Sequence, residues 1–183
     1  MNSIDILAEY YKPGSKAFDI LVAHGEHVAR KALVAAEQVS HLKPDLEFIT
    51  NAAMLHDIGI LETDSPGVGC RGRHPYICHG ILGRKLMENI GLPELGLICE
   101  RHVGVGISAE DIHQFNLPLP ARDMRPISIE EQLICYADKF FSKNGNNGQQ
   151  AREKSVKQIL GGLKRYGTDK TQRFQSWVDM FGY

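Results

Sequence analysis

Residues 52–60, AAMLHDIGI, place His56 and Asp57 side by side within an otherwise apolar run. Ala52, Ala53, Met54, Leu55, Ile58 and Ile60 all favour a core. Burying an ionised carboxylate among them is costly unless it is paired or coordinated. A neutral imidazole beside that carboxylate makes a divalent metal a natural partner. Adjacent residues on a helix point about 100° apart. Taken alone, therefore, the pair reads as surface residues at a helix end before Gly59.

Working outward, Pro44 is expected to open the helix that carries the pair and Gly59 to help end it. Upstream, Ser3–Tyr11 reads as a short helix with Ser3 as its cap, stopped by Pro13-Gly14. Ser15 then opens a long amphipathic helix to about Ser40, with His24 on or near its apolar side. Downstream, Glu62–Arg73 is aperiodic, rich in Gly and Pro, and reads as a long loop of the kind that often carries function. Further helices are expected over Pro75–Ile90, Pro93–His102 and Ser108–Phe115, and from a capping-box sequence at Ser128–Glu131 through Asp138. Leu117–Pro126 is irregular, and Ser142–Gly148 (SKNGNNG) is a turn. Two amphipathic helices are expected around Gln149–Tyr166 and Thr168–Phe181. Trp177, Phe174 and Phe181 are expected in core packing or an oligomer contact. No strand pattern or repeat is evident, so the expected fold is an all-α, single-domain helical bundle, with a core at 18–141 and a C-terminal extension at 149–183.

Composition sets the wider bounds. The 183 residues are 43% hydrophobic and 23% charged, with a formal net charge of −1. These are values of a globular domain, without the basic balance of a nucleic-acid binder or the charged patch of a membrane-surface protein. No apolar run approaches the roughly 20 residues that span a bilayer, and MNSIDILAEYY lacks the order of a secretory signal. Cys70, Cys78, Cys99 and Cys135 form no CxxC and read as reduced, mostly buried thiols, so a cytoplasmic protein is expected.

Six polar residues fall in apolar helical settings: His24, His56, Asp57, His79, His102 and Asp138, on five expected helices. Helices around one core can project such side chains into a shared site. Four imidazoles and two carboxylates are about what two divalent ions need, with positions left for water and substrate.

In this order the residues resemble the HD-domain family of metal-dependent phosphohydrolases. His56-Asp57-Ile58-Gly59 matches the HDIG variant. HGEHVARKAL around His24, HGILGRKL around His79, ERHVGVGI around His102 and YADKF around Asp138 resemble the family's other segments. The resemblance implies that His24, His56, Asp57 and Asp138 hold a first ion, with Asp57 bridging, and that His79 and His102 complete a second site. It further implies phosphomonoester or phosphodiester hydrolysis by a metal-bound hydroxide, with Asp57 and His56 at the catalytic centre. The ions would be two of Fe, Mn, Co, Ni or Zn, with Mg also open. Ile60 stands where cyclic-dinucleotide HD-GYP phosphodiesterases carry Lys, and no Gly-Tyr-Pro occurs. The Glu-Asp of alarmone hydrolases and the aromatic-Ala-Lys of HD-type diadenosine tetraphosphate hydrolases are also missing. The chain looks most like short stand-alone HDIG proteins, for which the resemblance supplies a chemistry but no substrate.

A metal pair acting on phosphate needs cations for the non-bridging oxygens. Arg71, Arg73, Arg101 and Lys139 are the candidates, with Arg73 also assigned to catalysis; a solvated loop is the plain reading of the first two. His27, one turn beyond His24, is read as a neighbour of the site or a surface residue, and His41 and His113 as surface residues. The expected partner is a small phosphorylated substrate or nucleotide, with neither nucleic acid nor membrane, and with a homodimer left open. The alternative is a non-catalytic HD-type nucleotide- or metal-binding regulatory module.

Overall fold

The computed structural model describes residues 2–143 and 153–183. The described residues form an all-α fold with one small hairpin. Its helices are α1 (Ser3–Tyr10), α2 (Lys16–Gln38), α3 (Leu46–Leu55), α4 (His79–Asn89), α5 (Pro93–Arg101), α6 (Ala109–Gln114), α7 (Ile129–Asp138), α8 (Val156–Leu163) and α9 (Thr168–Phe181). No helix among them is long and apolar enough to cross a membrane.

The long helix α2 is the spine, capped by the Ser15 hydroxyl, which accepts from the Phe18 amide. Its inner face is built from small residues (Gly25, Val28, Ala29, Ala32, Ala35 and Ala36), all buried. Small residues let α3 come close: a Cβ at Gly25 would sit 2.9 Å from the Met54 Cα. Helix α7 packs on the same spine, while α4 and α5 pack against each other.

The C-terminal helices belong to this core. Phe174, Trp177 and Phe181 are buried, and Tyr136 of α7 packs its ring against Phe140, Phe174 and Phe181. The Tyr136 hydroxyl donates to the Gly182 carbonyl at 2.6 Å, and the Trp177 indole N–H donates to Gln132. Ile159 and Leu163 of α8 complete this end.

Several boundaries differ from the sequence reading, for local reasons. Asn2, not Ser3, caps α1, because the Ser3 hydroxyl is engaged with Asn51. Asp45, not Pro44, opens α3, its carboxylate accepting from the Phe48 amide. Ser128 caps α7, but only half of a capping box forms, because Glu131 turns to the Ile127 amide and to Arg101. The loop at 62–73 contains a hairpin, β1 (Asp64–Ser65) paired antiparallel with β2 (Cys70–Arg71), too short to show alternation. Of the helix expected over Gln149–Tyr166, residues 149–152 lie outside the described residues; the described part begins at Val156 after a full Ser155–Gln158 capping box. Most of the expected turn at 142–148 also lies outside them.

Gly59 acts differently from the expected helix stop. Helix α3 already ends at Leu55, and residues 58–62 form a 3₁₀ turn pressed onto α4. A Cβ on Gly59 would lie 2.1 Å from the His79 carbonyl oxygen and 2.2 Å from the Gly83 nitrogen. Glycine here permits two backbones to touch.

Candidate metal centre

The site assembles where helices begin or end. His24 lies within α2. His56 terminates α3 and Asp57 starts the following 3₁₀ turn, with φ −102° and ψ 5°. This exit from the helix removes the divergence that two neighbouring helical residues would have, and His56 Nε2 comes 3.0 Å from Asp57 Oδ2. His79 is the first residue of α4, His102 caps the end of α5, and Asp138 is the last residue of α7. All six side chains are buried.

Backbone carbonyls set the imidazole tautomers. His56 Nδ1 donates to the Ala53 carbonyl at 2.7 Å, His79 Nδ1 to Tyr76 at 2.7 Å and His102 Nδ1 to Cys99 at 2.8 Å. With the proton on Nδ1, the Nε2 lone pair of each neutral ring points inward. Such a fixed outer bond is characteristic of metal-ligating histidine.

The inward atoms fall into two nests that share Asp57. His24, His56, Asp57 and Asp138 form one, and Asp57, His79 and His102 the other, the candidate ligand atoms of each lying within 4.8 Å of one another. Asp57 Oδ2 faces His24 and His56 at 3.4 and 3.0 Å, while Oδ1 faces His79 and His102 at 3.5 and 3.4 Å. His79 Nε2 and His102 Nε2 are 3.1 Å apart. With both Nδ1 atoms donating to carbonyls, this second nest holds two lone pairs and a carboxylate oxygen and no donor. Asp57 Oδ1, buried between the His79 and His102 nitrogens, has no hydrogen-bond partner among the described residues. Acceptors converging without a donor need a cation, and nitrogen and oxygen ligands in these numbers suit a divalent one. The residues present therefore fit the binding of divalent metal, with Asp57 common to both nests.

The electrostatics agree. Burial lowers the pKa of His24, His79 (to about 3) and His102, favouring the neutral imidazoles that ligation requires. His56 is the exception: burial opposes its charge, but Asp57 and Asp138 outweigh burial and hold the ring up at about 9, so a metal ligated there must displace a proton. Asp57 stays ionised despite burial, because His56 and Lys143 stand beside it.

Lys143 is a residue of the candidate site that sequence reasoning missed. Its ammonium lies 2.7 Å from Asp57 Oδ2 and 3.7 Å from Asp138 Oδ1, providing the first nest with a positive charge. Nothing in the local sequence distinguishes it from any lysine in a polar turn. Tyr76 was also missed; its ring lies against His79 with centroids 4.6 Å apart.

A cavity of about 470 Å³ opens onto the cluster, lined among others by Tyr76, His79, His102, Asp138, Lys139 and Lys143. Of the cations expected to meet substrate, Lys139 alone lines it. Arg71 and Arg73 are exposed on and after the hairpin and do not line it, so Arg73 is not carried further as a catalytic group. Arg101 donates to Glu131 at 2.7 Å and is likewise absent from the lining. The four cysteines are buried free thiols, and burial pushes Cys135 up to about 12, leaving it unreactive.

The profile of the HD domain family matches residues 24–142, from the first of the six side chains to just past the last. The chain belongs to the HD domain family. An uncharacterized protein of Methanocaldococcus jannaschii is 37% identical over 98 residues, which are 53% of this chain and 50% of that protein. Two proteins named tRNA (cytidine(56)-2'-O)-methyltransferase are also similar. The one from Thermoplasma volcanium is 29% identical over 133 residues, 72% of this chain and 34% of that protein. The one from Picrophilus torridus is 30% identical over 127 residues, 69% of this chain and 33% of that protein. The HD chain thus spans between a third and a half of the length of these relatives. No solved structure matches it.

The HD centre should couple metal to stability. An ion that binds only the folded state, at about 100 times its Kd, adds about 2.7 kcal/mol. For a chain of this size that is a rise in Tm of about 5–11 °C. Lys143→Met should lower the stability of the metal-free protein by about 3 kcal/mol, since it leaves a buried carboxylate with less compensation. Excess divalent metal should recover most of the loss. Thermal denaturation with chelator and with metal checks both; a Tm indifferent to divalent ions would count against ligation.

Proposed function

We propose that this HD domain is a metal-dependent phosphohydrolase cleaving a phosphate ester of a small metabolite or nucleotide. The observation that carries the reading is the sharing of Asp57, one oxygen to each of two nests of inward imidazole nitrogens. Divalent ions held there would supply Lewis acidity and lower the pKa of a coordinated water towards neutrality, the usual source of the nucleophile in two-metal hydrolysis.

The chain's own residues divide the remaining work. The carbonyls of Ala53, Tyr76 and Cys99 hold three imidazoles in ligating orientation. Lys139 and Lys154 line the cavity and place positive charge where non-bridging phosphoryl oxygens would lie. The buried walls around His56 and Asp57 keep these interactions in a low-dielectric setting, where they are strongest.

Elemental analysis followed by a panel of phosphate mono- and diesters, assayed with the metals found, tests the reading. The expected result is about two ions per chain and turnover of at least one ester class. Combined His79→Ala and His102→Ala changes should reduce the content to about one ion, because the first nest does not use these rings. Protein free of stoichiometric metal, or metal-loaded protein inert across the panel, would reject it. A second reading, a non-catalytic module, draws on the recurrence of this stretch over a third of proteins named for a tRNA methyltransferase activity. It expects metal or nucleotide binding without turnover.

A further inference from the structure

Beside the cavity over the metal cluster lies a second, larger one of about 820 Å³. Val103, Gly104, Lys139 and Lys154 line both, so the two adjoin along that edge. The second chamber is lined mainly by apolar groups. Phe115 and Tyr166 face it with ring centroids 6.4 Å apart, set edge to face, and remain 41% and 46% exposed. Gly162, inside α8, also lines it, and a Cβ there would meet nothing within 4 Å. Glycine within a helix costs stability relative to alanine. Among the described residues no neighbouring group requires glycine here, and its lack of a side chain leaves room in the chamber.

Two further observations say what the room is for. Lys139 and Lys154 stand at the shared edge, and neither forms an ion pair among the described residues. Two ammonium groups without a contacting carboxylate, set between the candidate metal centre and an apolar chamber, are complementary to an anion with an apolar body. The far wall, with Gln158, Ile159, Leu163 and Tyr166, lies beyond residues 24–142, the segment that the family profile matches.

We propose that this chamber holds the organic half of the substrate, a phosphate ester whose alcohol carries a flat, largely apolar ring system. The ring lies against Phe115, Tyr166 and the open face of α8, and the phosphate reaches past Lys139 and Lys154 towards the metal cluster. The direction of the substrate rests on the phosphohydrolase reading; the existence of the chamber site does not. Ligand cavities of this size commonly combine apolar walls with a few convergent polar groups.

The test is binding, not turnover. Calorimetry on the full chain compares 1-naphthylmethylphosphonate, which has no ester bond to hydrolyse, with methylphosphonate. The naphthyl compound should bind at least about tenfold tighter, from burial of its ring. Gly162→Phe fills the chamber from a helical position where a side chain is sterically free. It should cut that preference to about twofold or less while leaving methylphosphonate affinity unchanged. Lys154→Met should weaken both ligands by about fivefold, as loss of one charge to a shared phosphonate requires. Equal affinity for the two phosphonates, or a preference that survives Gly162→Phe, overturns the proposal. A preference that behaves as expected in a protein that cleaves no ester keeps the chamber and rejects the hydrolase reading. Cleavage of small and ring-bearing esters with equal efficiency, without a binding preference, does the reverse.

Discussion

Asp57→Asn should empty both metal sites at once and lower turnover by at least about a thousandfold. The substitution keeps the shape of the side chain and removes its charge. Asp57 is the one residue common to the two nests, so its loss is not confined to either. The charge stabilisation supplied by a metal pair is worth several kcal/mol, and about 4 kcal/mol corresponds to a thousandfold in rate. His79→Ala alone should be milder in metal content, since the nest of His24, His56, Asp57 and Asp138 would remain intact. Metal analysis and single-turnover assays on protein shown by circular dichroism to be folded would check this. An Asp57→Asn protein that keeps both ions, or a tenth of its activity, would remove the bridging role.

Gly59→Ala should be among the most damaging single methyls in the described residues. The added Cβ would meet two backbone atoms of α4, the His79 carbonyl oxygen at 2.1 Å and the Gly83 nitrogen at 2.2 Å. Neither can rotate aside as a flexible side chain would, so α4 must move as a body. Overpacking of this kind costs about 3 kcal/mol or more, a fall in Tm of about 6–12 °C. The displaced element begins with His79, so the second metal site should loosen along with the fold. Gly161→Ala is the control: it is also helical, its Cβ would meet nothing within 4 Å, and it should stabilise by about 0.5–1 kcal/mol. Equal Tm values for the two variants would refute the close approach of the 3₁₀ turn to α4.

The contrast between these two glycines shows where reading residues in order succeeds and where it stops. Gly59 and Gly161 are equally small on paper, and only the neighbour brought in from residues 79–83 separates them. The hydroxyl caps at Ser15, Ser108, Ser128 and Ser155 are local contacts, made within three residues of themselves. Three of these four, all but Ser155, could be anticipated, and with them the starts of α2, α6 and α7. The hairpin at Asp64–Arg71 could not, because two residues per strand carry no period.

The candidate ligands were legible for a thermodynamic reason. A histidine or aspartate within an apolar helical run must be either misplaced or compensated, and six such residues spread over five expected helices point to one shared compensation. The cations were not legible, because arginine and lysine are at home on any surface. Arg73 sits near the His79 helix in the chain yet stays outside the cavity, while Lys143 in a featureless polar turn reaches Asp57 at 2.7 Å.

By itself, the sequence determined the all-α architecture and the set of residues that cannot be buried alone, because periodicity, caps and the cost of desolvation act over a few residues at a time. Only the tertiary structure decided that one carboxylate faces two nests, which ammonium stands beside it, and that a second chamber adjoins the first. Those features depend on the distance between side chains far apart in the chain, and the packing of α2, α4, α5 and α7 sets that distance.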